Sequence, residues 1–134
     1  MVIGAASALL LAMPLTADAS TSSHYYVSYG GGDYVTTGNV DWYNRSISIG
    51  GSVKAIAETC ARMAVQAVSG SYRSPVYYRA VCSGTKTFGF NVGLDVPGGP
   101  QEVNISLSIA PSSSPNEWSV VNSDHCIRDS QYCN

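Results

Sequence analysis

The 134-residue chain predicts an all-β fold, an antiparallel β-sandwich of the Ig-like or jelly-roll-like kind. Three observations carry that prediction. Short stretches alternate apolar with polar residues, a period of two, and recur about every ten residues between Gly-, Pro- and Ser-rich turns. Nine tyrosines and two tryptophans accompany only 12% charged residues, a composition that suits pleated, half-buried surfaces. Four cysteines, an even number in a short chain, read as two disulfides that staple a small exported domain.

Residues 1–19 read as a secretory signal, with an apolar run over residues 2–15 and the cleavage pattern Ala17-Asp18-Ala19. That run is too short to span a bilayer, so no membrane span is expected in the mature chain, which is expected to be secreted. The net charge of −2 argues against nucleic acid as a partner, because phosphate binding wants a basic surface.

Residues 20–37 differ in composition from the rest of the chain. They carry Tyr25, Tyr26, Tyr29 and Tyr34 around the triple glycine Gly30, Gly31 and Gly32. Consecutive glycines are costly to order, and tyrosine offers wide amphipathic contact area. The segment is therefore expected to be a flexible N-terminal arm that adds to a partner through its four tyrosines. The sandwich domain is expected over residues 38–134.

Within that domain, residues 38–51 read as one strand of about ten residues carrying Trp42, whose imperfect parity means either cover on two faces or a bulge near Tyr43 and Asn44. Residues 52–70 show both helical spacing and alternation. We read them as strands joined by a short loop near residues 57–59, entered through Gly50 and Gly51. Residues 76–82 and 86–94 read as two strands separated by a turn at Ser83-Gly84. Pro97-Gly98-Gly99-Pro100 forces a turn, and Val103, Ile105, Leu107 and Ile109 mark the clearest strand. Residues 117–121 suggest a short edge strand around Trp118. The polar tail after residue 121 has one evident anchor, its cysteines.

Four cysteines allow three connectivities. Cys60–Cys82 with Cys126–Cys133 is preferred, since each pair then ties neighbouring elements. The first would contribute about 3 kcal/mol by restricting the unfolded chain. Neither pair has the short spacing of a zinc site.

Signals for chemistry are sparse. His24 and His125 lie in polar terminal segments, no nucleophile elbow is present, and Asp41, Asp95 and Glu102 show no paired-carboxylate pattern. No phosphate loop or calcium loop occurs. Neither catalysis nor a cofactor or metal is expected. Asp41, Tyr43 and Arg45 suggest an exposed patch, Tyr77, Tyr78 and Trp118 a platform for sugars, and residues 69–74 an inhibitory loop braced by a disulfide. The sequons at Asn44 and Asn104 fall in expected strands.

The run Val40-Asp41-Trp42-Tyr43-Asn44-Arg45-Ser46, with Gly50-Gly51, Cys60 and Cys82, Gly98-Gly99 and the strand from Val103 to Leu107, resembles a group of small exported actinobacterial proteins. The resemblance covers residues 38–109, and the tail beyond Pro111 departs from shorter members. Within that group the layout is similar to the small adaptor subunits of Streptomyces umbrella toxin particles. That resemblance implies a compact β domain holding a large toxin subunit and an extended N-terminal segment inserted into a lectin-type subunit. The expected function is thus a non-enzymatic adaptor between other secreted proteins. A free carbohydrate- or cell-wall-binding module and a protease inhibitor are the alternatives.

Overall fold

The computed structural model describes residues 21–134, so the expected signal segment lies outside the described residues. These residues form seven strands and no helix: β1 (Ser22–Tyr29), β2 (Tyr34–Trp42), β3 (Ser46–Ser69), β4 (Tyr72–Arg73), β5 (Tyr77–Gly93), β6 (Glu102–Pro111) and β7 (Ser119–Ile127). Among the described residues, then, no helix is long and apolar enough to cross a membrane.

One antiparallel sheet runs in the order β1-β2-β3-β6-β7, with β4 and β5 also paired to β3. The 24-residue β3 organises it. Its first half pairs with β2 on one side and with the second half of β5 on the other. Its second half pairs with β6 and with the first half of β5. Between the halves the register shifts, from Ala55 to Cys60, opposite Ser83 and Gly84. Glu58, Ser83 and Gly84 all have positive φ, at 65°, 55° and 142°, and the Glu58 amide donates to Ser83 Oγ at 3.0 Å. A two-stranded ladder bends most readily at such a break, where a strand passes from one layer to the other. The bend lays β1-β2-β3-β5 over β5-β3-β6-β7, giving the expected sandwich as one sheet that nearly closes into a barrel.

Alternation then decides what is buried. Trp42, Ile47, Ile49 and Val53 from one layer meet Met63, Val65, Val103, Ile105 and Leu107 from the other in a single core. Trp42 is fully buried, and its indole donates to Ser23 Oγ at 2.9 Å, so its one polar atom is satisfied. The open side between β1 and β7 is closed by residues 128–134. There the His24 amide donates to Gln131 O at 2.7 Å and the Cys133 amide to His24 O at 2.9 Å. Both disulfides form with the preferred connectivity, Cys60–Cys82 at the bend and Cys126–Cys133 at the closing segment.

Three expectations are corrected. Residues 22–37 are not a flexible arm, because β1 and β2 pair over their whole length and the sandwich includes both. Ser23, Tyr25 and Val27 point inward and are buried, and burial of that face offsets the entropy cost of the glycines. The glycines form the connecting turn, each with positive φ. Residues 38–51 are not one strand: residues 43–45 turn the chain, the Tyr43 amide donates to Ser46 O at 3.0 Å, and Trp42 faces Ile47. Ser83 and Gly84 do not reverse the chain; they bend a continuous 17-residue strand. Residues 52–69 are strand throughout, with their irregularity at the expected place.

Candidate functional site

Because β5 pairs with β3 alone, its other edge has no strand partner among the described residues. The two halves of β5 also meet across the bend. From the first half, Tyr77, Arg79 and Val81 stand opposite the inward residues Val65, Met63 and Ala61 of β3. From the second half, Lys86, Phe88 and Phe90 share the parity of the buried Val92. The Tyr77 and Phe90 ring centroids lie 6.0 Å apart, those of Phe88 and Phe90 5.9 Å apart, and the Arg79 guanidinium sits 4.0 Å over the Phe90 ring.

The result is a mouth between the two layers. Its floor is aromatic and half-buried, two cations flank it, and an unpaired backbone edge runs along it. Between Arg73 and Leu94 the sequence contains no carboxylate, in a chain of net negative charge. Such an edge offers backbone hydrogen bonds and apolar contact side by side.

A second feature lies on the outer face of β3, β5, β6 and β7. Arg62 is stacked between two rings, its guanidinium 4.2 Å from the Tyr78 centroid and 4.7 Å from that of Trp118. Its Nε is buried without a hydrogen-bond partner. Across the same face, a groove of about 270 Å³ is lined by Ala64, Gln66, Asn104, Ser106, Ser123 and His125, among others. His125 Nε2 stands 3.0 Å from Glu102 Oε1 at its margin.

The four tyrosines expected to bind a partner do not form one patch. Tyr25 is a core residue, fully buried, so a contact role for it is corrected; its inward parity on β1 is the reason. Burial pushes its phenol above the ordinary tyrosine range, and a hydrogen bond involving Thr36 offsets part of that rise. Tyr26 points outward and is 57% exposed. Tyr29 is 47% exposed and faces Tyr34 across the glycine turn, with centroids 6.3 Å apart. Tyr34 packs partly on the core. Of the expected sugar platform, Tyr78 and Trp118 come together, while Tyr77 turns inward to the mouth.

The patch expected at Asp41, Tyr43 and Arg45 is split between partners. Arg45 pairs with Asp95, and Asp41 accepts from Ser22 Oγ. Residues 69–74 make a tight turn rather than a protruding loop, since Ser69 pairs with Tyr72 and the buried Ser74 is bonded to Ala67. Asn44 lies in the exposed turn between β2 and β3, and Asn104 in β6. Among the described residues no group of three or more His, Cys, Asp and Glu side chains is placed to hold a metal.

Local sequence pattern does not reveal the mouth, although the absence of acids between Arg73 and Leu94 is visible in it. No protein-family model matches the chain, and no curated protein matches it in sequence.

Proposed function

We propose that this chain is a non-enzymatic, exported adaptor that works by binding other exported proteins in a multi-subunit toxin complex. The observation that carries the reading is the unpaired edge of β5 beside the Tyr77–Phe88–Phe90 floor. A long open strand edge on a disulfide-linked sandwich supports that reading, since such an edge can take an added strand. The two disulfides fit an oxidising compartment. An adaptor must hold two partners at once. The exposed Tyr26 and Tyr29 on β1 stand at the opposite edge of the layer from β5, separated from it by β2 and β3. The resemblance at residues 40–46 supplies the partner classes, a lectin-type subunit and a large toxin subunit.

The test is affinity purification of the tagged chain from its native host, with the captured proteins identified and counted. Recovery of two large exported partners at fixed stoichiometry is expected. Substitution of Tyr26 and Tyr29 by alanine should release one of them and leave the other bound. Recovery of the chain alone would end the adaptor reading.

The Arg62–Tyr78–Trp118 stack favours a second reading, a carbohydrate-binding module. The exposed Tyr78 ring and the half-buried Trp118 ring, beside a groove partly lined with amides and hydroxyls, can take a saccharide, the rings contacting its apolar face and the polar groups orienting it. Retention on insoluble polysaccharide that disappears in Trp118→Ala and Tyr78→Ala would support it. Absence of retention on cell-wall and plant polysaccharides alike would remove it.

A further inference from the structure

We infer that the edge of β5 over residues 85–93 accepts an extended, acidic segment of another protein as an added strand. The inference rests on the adaptor reading and names the chemistry of one partner. Three observations on this strand point the same way.

The first is the open edge. The backbone groups of β5 that point away from β3 have no strand partner among the described residues, and no proline interrupts the strand. The second is glycine placement. Gly89 and Gly93 face outward, their φ angles are not positive, and a Cβ at either would meet nothing within 4 Å. Nothing within the chain's own packing requires glycine there, yet glycine weakens a strand. A bare position on an edge strand leaves room for a large side chain of an added strand lying across from it.

The third is charge. Arg79 and Lys86 flank the aromatic floor, and no carboxylate lies between Arg73 and Leu94. Cations on an edge ordinarily discourage strand pairing. Here they discriminate between occupants. A second copy would bring the same cations with no acid to offset them. A foreign segment bearing carboxylates would pair with them, set alternate apolar side chains over Phe88 and Phe90, and complete the ladder.

Two synthetic peptides of about ten residues test this, one alternating Glu with Val and the other Lys with Val, the length matching a strand. Binding is titrated at low and high salt, and amide exchange is followed over residues 85–93. The Glu peptide should protect these amides and lose about tenfold in affinity at high salt. Lys86→Glu, a change at an exposed side chain, should shift the preference toward the Lys peptide.

Equal binding of the two peptides, protection elsewhere, or no binding of either would overturn the inference. So would concentration-dependent dimerisation that itself protects residues 85–93, which would make the occupant a second copy. The adaptor reading fails separately. If Lys86→Glu still purifies with both partners from the native host, the adaptor stands and strand addition at β5 falls.

Discussion

Tyr25 occupies the space that a side chain on Gly51 would need. A Cβ built at Gly51 would stand 2.6 Å from the Tyr25 phenol oxygen and 2.1 Å from the Thr37 carbonyl oxygen. The paired strands carry Gly38 directly opposite Gly51, and a Cβ at Gly38 would come within 1.9 Å of Gly50 O. Gly51 thus leaves room for the Tyr25 phenol, and Gly38 for the close approach of the Gly50–Gly51 backbone.

Gly51→Ala should therefore lower stability by about 2–3 kcal/mol, in the range of overpacked cores. Tyr25→Phe should cost about 1 kcal/mol, because it removes the long bond to Gly50 O at 3.4 Å and the hydrogen bond involving Thr36. The double variant should not recover the loss, since the clash with Thr37 O is with backbone. Urea unfolding of the three variants checks this. Recovery in the double variant would assign the clash to the phenol alone.

Burial raises the Tyr25 phenol above its ordinary value, and this makes stability depend on pH in the alkaline range. Below pH 10 both folded and unfolded chains hold this proton, so its contribution is constant. Above pH 10 the unfolded chain releases it while the folded chain keeps it. Stability should then fall by up to about 1.4 kcal/mol per pH unit until the folded value is reached. Subtracting the profile of Tyr25→Phe from that of the native chain isolates this slope. Parallel profiles between pH 9 and 11 would show that Tyr25 is solvated in solution.

Side-chain periodicity makes most strands legible, including the irregular point in β3, because alternation reports directly on which face is buried. It fails at residues 40–49 for a geometric reason. Val40 and Trp42 are inward at even positions, and Ile47 and Ile49 at odd ones. The three-residue turn at residues 43–45 switches the parity, and with Asn44 as its one strong turn former it passes for a bulge. The same blindness hides the candidate site. Ser83-Gly84 is a turn signal, and positive φ is indeed present there, but pairing of both flanks with β3 makes it a bend. That long-range pairing brings Tyr77 to Phe90, and no local pattern encodes it. Of the closing segment only the Cys126–Cys133 anchor is legible, because its links to β1 are largely backbone hydrogen bonds, which leave no trace in residue type.

The bend gives its own prediction. Glu58 is exposed and has φ 65°, a region costly for residues with a Cβ. Glu58→Gly should raise stability by up to about 1 kcal/mol, and Glu58→Val should lower it by about 1–2 kcal/mol. Thermal unfolding distinguishes them. Equal midpoints would mean that the bend relaxes to negative φ in solution.

The two disulfides should differ in where their loss is felt more than in how much it costs. Their partners are separated by 22 and 7 residues, which in the chain-entropy account amounts to about 3.4 and about 2.5 kcal/mol. Cys60–Cys82 crosses the bend, so replacing both cysteines by serine should speed amide exchange in residues 77–82 and loosen the mouth. Cys126–Cys133 holds the closing segment between the two outermost strands. Asn134 exchanges backbone hydrogen bonds with His125 at 2.7 and 2.9 Å, while Gln131 and Cys133 bond His24 on the other side. Ser130 O also accepts from Ser23 Oγ, which in turn accepts from the Trp42 indole. Serine at positions 126 and 133 should free that segment, expose the His24 amide to exchange and partly strip the indole of its support. Residues 85–93 should exchange as before, because β5 lies across the sheet. Exchange mapped residue by residue on both variants checks the division. If loss of Cys126–Cys133 also speeds exchange in β5, the sandwich opens as one cooperative unit, and the mouth depends on closure at the far side.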